Sequence, residues 1–289
     1  MADLIEIAGT GLSAAINPFG AELTHLRDPH GRELMTDADP AFWTGHAPLL
    51  FPFVGRLNGD VLRLDGAEYP MKQHGFARRR DFTLVEQGGS HARFRLEDDA
   101  ETRAVYPFAF ALDAAYAIEG ATLTNAITIA NRGDAPMPAS FGFHPAFAWP
   151  LPYGAPRAGH RIAFDADETG GLVALKDGLA APGERASPLE GRVLHLSDAL
   201  FADDALIWNG LASRRVSYGV EGGPQLEIAF PDTDKLGIWT KPGSAFICIE
   251  PWHGIADPQG FTGDFRDKPG VFEIAPGGSW TCRMEITLR

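Results

Sequence analysis

Glycine and proline punctuate this sequence from end to end, and that constrains the fold more than any single motif. The 33 Gly and 22 Pro are spread along 289 residues rather than gathered into linkers. Both interrupt helices, and both mark the turns between short extended segments. The segments between them alternate. In Ala121-Thr122-Leu123-Thr124-Asn125-Ala126-Ile127-Thr128-Ile129 the apolar residues recur with a period near two, which makes one face of a strand buried and the other wet. Asp65-Gly66 between Val61 and Met71 reads as a type I′ hairpin turn.

Strands are expected at 4–7, 12–16, 21–26, 82–86, 92–97, 108–118, 121–129, 203–208, 214–230 as a hairpin, 235–240, 246–250, 271–274 and 280–288. Residues 149–160 read as a loop and the weakly apolar 165–190 as a surface excursion. Helix is limited to single turns near 38–47 and 197–201. No linker, repeat or change of composition divides the chain. The expected fold is all-β, a large antiparallel β-sandwich of two packed sheets, with residues 1–289 as one domain.

The net charge of −13 disfavours nucleic acid and an anionic membrane surface as partners, since both repel an acidic protein. A small ligand held by local arginines is compatible with it. Two cysteines, Cys248 and Cys282, are too few for a disulfide framework or a cysteine-based zinc site, so buried free thiols are expected. The N-terminus, Met1-Ala2-Asp3-Leu4-Ile5-Glu6-Ile7, lacks a basic region followed by an apolar block, and no window is long and apolar enough for a membrane-spanning helix; a cytoplasmic location is the expectation.

The run Phe246-Ile247-Cys248-Ile249-Glu250-Pro251-Trp252 delivers one carboxylate on an apolar strand. Pro251 lacks a backbone donor, so the strand is expected to end there or to lie at an edge. Phe141-Gly142-Phe143-His144-Pro145 repeats the device with an imidazole. Arg56, His74, Arg78 and Asp204 are the other polar residues set among apolar or proline-bounded segments. Each also has a structural reading: His144 as a satisfied core histidine, Arg56 and Arg78 as stems covering a sheet edge, Asp204 as a cap. His46, His160, His195 and His253 read as structural or exposed. Together, two imidazoles, a carboxylate and two guanidiniums form an acid–base set with donors for oxygen ligands. Metal ligation is the competing use of His, His and Glu, but their spacing matches no local ligand motif. No dinucleotide fingerprint, P-loop, serine-esterase elbow or His-Glu-x-x-His is present.

Four segments carry a resemblance in order along the chain: Gly55-Arg56-Leu57, His74-Gly75-Phe76-Ala77-Arg78, Gly142-Phe143-His144-Pro145-Ala146-Phe147 and Ile249-Glu250-Pro251-Trp252. They resemble the aldose 1-epimerases, or mutarotases, of the galactose mutarotase-like superfamily, and its LacX-like branch in particular. The resemblance implies a sandwich with a sugar in an open cleft and no cofactor or metal. It implies Glu250 as the base at the anomeric hydroxyl and His144 as the acid at the ring oxygen. It assigns His74 to the ring region and Arg56 and Asp204 (or its neighbour Asp203) to sugar hydroxyls. Arg78 either supports these residues or faces a phosphate. His144 is then expected to be protonated near the working pH, and Trp252 or Phe147 to stack on the sugar. Two other uses stay open: a hexose 6-phosphate substrate, and a non-catalytic carbohydrate-binding sandwich. A glycosidase reading is weaker, because Glu250 has no partner carboxylate apart from Asp204.

Overall fold

Residues 3–289 are described in the computed structural model, so Met1 and Ala2 of the N-terminal reading lie outside it. The chain is nearly all β. A nine-stranded sheet runs, edge to edge, through Val193–His195, Arg161–Phe164, Arg215–Gly219, Gln225–Ala229, Ser279–Leu288, Thr122–Asn131, Phe110–Glu119, His91–Glu97 and Thr83–Gln87. An eight-stranded sheet runs through Leu179–Arg185, Leu172–Lys176, Leu206–Asn209, Lys235–Trp239, Phe246–His253, Phe141–Phe143 and Leu49–Leu50, with Ala146–Ala148 also pairing to Phe246–His253. The alternation in Thr122–Asn131 appears as strict buried and half-buried positions. One contiguous apolar cluster joins the inner faces, including Leu123, Ile127 and Ile228 of the first sheet and Ile238, Ile247 and Ile249 of the second.

The strand Phe246–His253 is buried on both faces. Its period of two sends Ile247 and Ile249 into the inter-sheet core. Phe246, Cys248 and Trp252 go to the opposite face, where smaller apolar clusters cover them. Glu250 shares that outer face.

The strand does not stop at Pro251 and does not lie at an edge. Pro251 pairs with Leu236 across the sheet, and the strand continues to His253. The reason lies on its other side. Phe141–Phe143 pairs with Trp252 and His253, Ala146–Ala148 pairs with Phe246 to Cys248, and His144 and Pro145 fill the break between them. Ile249 N–H reaches Pro145 O at 3.1 Å. Two residues on, position 251 faces the same side, opposite Phe143 at the margin of the break, where the ladder to Phe141–Phe143 has already ended at the Gly142–Trp252 pair.

Residues 165–190 are not a bare excursion. Leu172–Lys176 and Leu179–Arg185 form a hairpin that extends the eight-stranded sheet. Its irregular register and half-buried pattern explain the weak alternation. A short helix, Ala100–Val105, was also not expected; Asp99 caps it by accepting from the Thr102 N–H, and Thr102 Oγ1 accepts from the Asp99 N–H. The Asp65-Gly66 turn has both residues at positive φ, 51° and 78°, as a type I′ turn requires. Both cysteines are buried and free.

A buried ion pair ties down one wall of the outer face. Lys268 Nζ lies 3.0 Å from Asp257 Oδ1 and also donates to Ile255 O. The other Asp257 oxygen accepts from the Asn58 N–H, and the Asp257 N–H donates to Arg56 O. This joins the loop after Trp252 to the Gly55–Asn58 segment. Replacing Lys268 by Met leaves Asp257 buried without its cation, at an expected cost of about 3–5 kcal/mol. Urea unfolding should show that loss, with a substantial part restored in the Asp257→Asn/Lys268→Met double variant.

Candidate active site

A cavity of about 310 Å³ opens on the outer face of the eight-stranded sheet. Its polar lining is Glu250, His144, His74, Arg78, Asp204 and Gln73, and its aromatic lining is Trp43, Trp239 and Trp252. Five of the six residues singled out in the sequence therefore come together, from segments that run from His74 to Glu250.

Glu250 projects from the centre of its strand and is only 2% exposed. His144 stands at the break between Phe141–Phe143 and Ala146–Ala148, directly across from it. His144 Nε2 and Glu250 Oε2 are 3.1 Å apart. Burial pushes the Glu250 carboxyl well above its ordinary value, and the negative charge of Asp204 adds to that. Burial lowers His144 to about 3, so its ring is not protonated by the environment as the sequence reading expected. Loss of water is the largest cause, and the Arg78 charge acts in the same direction. Both shifts oppose charge on the pair and favour the acidic proton on the carboxyl side.

Aromatic rings hold the imidazole from three sides. Trp43 stacks on His144 at 5.0 Å and 27°, Trp239 meets it edge-on at 6.2 Å, and His74 lies perpendicular at 5.8 Å. Trp252 lies along the floor, where Gly142 and Gly237 on the flanking strands make room. A Cβ at either position would come within 2.6 Å of the indole. Phe147 is fully buried in the inter-sheet core and does not line the cavity.

His74 and Asp204 are both carried on left-handed backbone, at φ 66° and 79°. Non-glycine residues adopt this region at a cost, so the surroundings must hold them there. For His74 they do so through its own N–H to Gly55 O at 2.8 Å and through Nδ1, which accepts the Gly55 N–H at 3.1 Å. Burial holds His74 well below its ordinary pKa, with the His144 and Arg78 charges acting in the same direction. With Nδ1 occupied as acceptor, the neutral ring carries its proton on Nε2, which lies 3.2 Å from the Gln73 side-chain amide nitrogen. Asp204, not Asp203, lines the cavity; the Asp203 carbonyl instead accepts from Arg185.

Arg78 is half-buried. Burial lowers its guanidinium to about 10, with Arg79 contributing. Its Nη2 donates to Gln73 O, and its Nε has no partner among the described residues. Arg56 is placed differently. Asp60 engages it through two bonds of 2.8 and 2.9 Å, and its Nη1 donates to Asp177 O. It stands behind Gly178 on the rim, while Gly55 reaches the lining.

Trp43, Trp239 and Gln73 were not selected from the sequence. Trp43 lay in a short aromatic group beside Phe42, and Trp239 on a strand whose facing was not assigned. Gln73 adjoins His74, a positional signal that was available. The side chains of His144, Cys248 and Glu250 offer ligand atoms within 4.8 Å of one another, the one such trio among the described residues.

The opposite pKa shifts of the pair predict opposite effects on stability. Glu250 keeps its proton in the folded protein where the unfolded chain has lost it. Its stabilisation is complete below about 4.5 and is lost as pH rises toward the raised folded value. His144 stabilises above its ordinary 6.5, and that is lost as pH falls toward about 3. In chelator-containing buffer, the urea midpoint of wild type should fall relative to that of Glu250→Gln as pH rises above the ordinary carboxyl value of about 4.5. Parallel curves would contradict a raised Glu250.

Residues 3–259 match the family described as Aldose 1-epimerase. Protein LacX (plasmid) of Lactococcus lactis subsp. lactis is 31% identical, over 98% of this chain and 99% of its own. The galactose mutarotase related enzyme of Lactobacillus acidophilus superposes with a TM-score of 0.94 at 31% identity, covering 99% of this chain and 97% of that one. A galactose mutarotase-like protein from Lactobacillus casei gives 0.92 at 27%, covering 99% and 100%.

Proposed function

The chain belongs to the aldose 1-epimerase family, and from that premise we propose that it interconverts the α and β anomers of an aldohexose by opening and reclosing the ring. The observation that carries this reading is the buried contact of 3.1 Å between His144 Nε2 and Glu250 Oε2 at the base of a polar cavity. Ring opening removes a proton from the anomeric hydroxyl and adds one to the ring oxygen. Both oxygens are bonded to the same carbon. An acid and a base in mutual contact suit two acceptor positions that close together.

The neutral pair holds one transferable proton. Moving it from Glu250 to His144 gives a carboxylate and an imidazolium with the same proton count. A sugar placed over the pair then presents O1–H to Glu250 and the ring oxygen to His144. Glu250 takes the hydroxyl proton as His144 gives its own, and the bond from C1 to the ring oxygen breaks. Rotation about C1–C2 and the reverse transfers close the other anomer. The His74 Nε2–H is a donor toward the ring region, and Asp204 an acceptor for hydroxyl groups. Trp43 and Trp239 limit water and offer apolar faces to the sugar's C–H surface. Arg56 acts at the rim through its hold on Asp60.

Polarimetry of freshly dissolved α-D-glucose and α-D-galactose tests the reading. The protein should speed equilibration above the buffer rate, and Glu250→Gln and His144→Asn should each lower kcat/KM by roughly 10²–10⁴. Equilibration at the buffer rate across a panel of free and phosphorylated sugars, with calorimetric sugar binding retained, would favour a non-catalytic binding protein.

One observation favours a second substrate. Arg78 lines the cavity without a carboxylate partner among the described residues, which suits a phosphate. If glucose 6-phosphate is preferred over glucose, Arg78→Ala should abolish the preference and leave glucose turnover less affected. Equal efficiency on both sugars would remove this reading.

A further inference from the structure

Cys248 has no part in the proposed reaction, yet it lies at the foot of the acid–base pair. It precedes Glu250 by two positions on one strand, so both side chains leave the same face. His144 is held opposite that face by the bond from Ile249 N–H to Pro145 O. A thiol, an imidazole and a carboxyl thus converge, their ligand atoms within 4.8 Å of one another and their residues all buried.

We propose that His144, Cys248 and Glu250 form a binding site for a borderline-soft divalent cation of the zinc class, and that occupancy of this site blocks the acid–base pair. Ligand atoms around tetrahedral zinc stand about 3.5 Å apart, given metal–ligand distances near 2.0–2.3 Å. The 3.1 Å separation of Nε2 and Oε2 and the outer limit of 4.8 Å bracket that value. Glu250 Oε2 is buried and makes no well-aligned hydrogen bond among the described residues; its nearest polar contact is His144 Nε2, itself one of the three ligands. His144 and Glu250 line the cavity, which supplies the entry path and leaves a fourth position for water.

The donors select the ion. One sulfur, one nitrogen and one carboxylate favour zinc, cobalt(II) or cadmium over magnesium and calcium, which require mainly oxygen ligands. Binding forms a metal–sulfur bond and releases the thiol proton and the proton held by the pair to solvent. No electron is transferred. The inhibitory consequence rests on the reaction proposed above; the binding does not.

Cobalt(II) titration of the chelator-treated full chain, read by absorption, separates the two. One equivalent should produce a thiolate-to-metal charge-transfer band in the near ultraviolet and the visible bands of a four-coordinate ion. Cys248→Ala, with its fold checked by circular dichroism, should lose the charge-transfer band. Cys282→Ala should keep it, since Cys282 lies in the other sheet; that variant carries the test if Cys248→Ala does not fold. A missing band in wild type, or one lost with Cys282 rather than Cys248, overturns the site. Zinc should slow wild-type anomerisation reversibly and slow Cys248→Ala much less, each relative to its own metal-free rate. Equal inhibition of both overturns the blocking claim. A charge-transfer band in a protein that turns over no sugar upholds the metal site and refutes the reaction.

Discussion

The cavity depends on one contact, the meeting of His144 and Glu250 in the centre of a sheet. Neither group tolerates burial as a lone charge. Placed 3.1 Å apart, they share the problem. A proton on either side of the contact leaves the pair neutral, so the site stays desolvated without an isolated ion. That same neutrality makes it an acid and a base at once. Burial, which raises one pKa and lowers the other, favours the proton on the carboxyl side of the contact.

The sheet produces the contact by interrupting itself. One long strand, Phe246–His253, is covered on one side by two short ones, and the gap between them ejects His144 toward Glu250. Proline serves this break twice. Pro145 lies in the gap itself, and Pro251 stands at its margin, just past the last ladder pair, Gly142 with Trp252. The inner face of the strand is fixed by Ile247 and Ile249 in the inter-sheet core, so the outer face is set with equal firmness. Behind the opposite wall, the Lys268–Asp257 pair holds Gly55–Asn58 against the loop that follows Trp252. The Gly55 backbone in turn bonds His74 twice, which holds His74 in its left-handed conformation.

Much of this was legible in the sequence, for identifiable reasons. Strand alternation gave the two-sheet architecture, because the period of a half-buried strand is a local property. The apolar-run-then-proline device pointed to Glu250 and His144. Pro251 misled, because whether a missing donor matters depends on what lies across the gap, which is a tertiary fact. The hairpin at 172–185 was hidden by its irregular register and half-wet faces. The lowered pKa of His144 is hidden from the sequence for a similar reason. A neighbouring carboxyl can be guessed from sequence, whereas the full loss of water around an imidazole boxed by Trp43 and Trp239 cannot. Those two tryptophans belong to segments with no motif of their own, and only the fold brings them to the ring. Arg56 shows the converse: a residue within a matching motif whose side chain is already engaged by Asp60 at the rim.

The most direct test of the central claim is a crystal structure of the Glu250→Gln protein with a bound aldohexose. The account predicts the anomeric carbon over the pair, with O1 within hydrogen-bond distance of residue 250 and the ring oxygen within hydrogen-bond distance of His144 Nε2. A sugar bound with its anomeric carbon away from both, or outside this cavity, would contradict it.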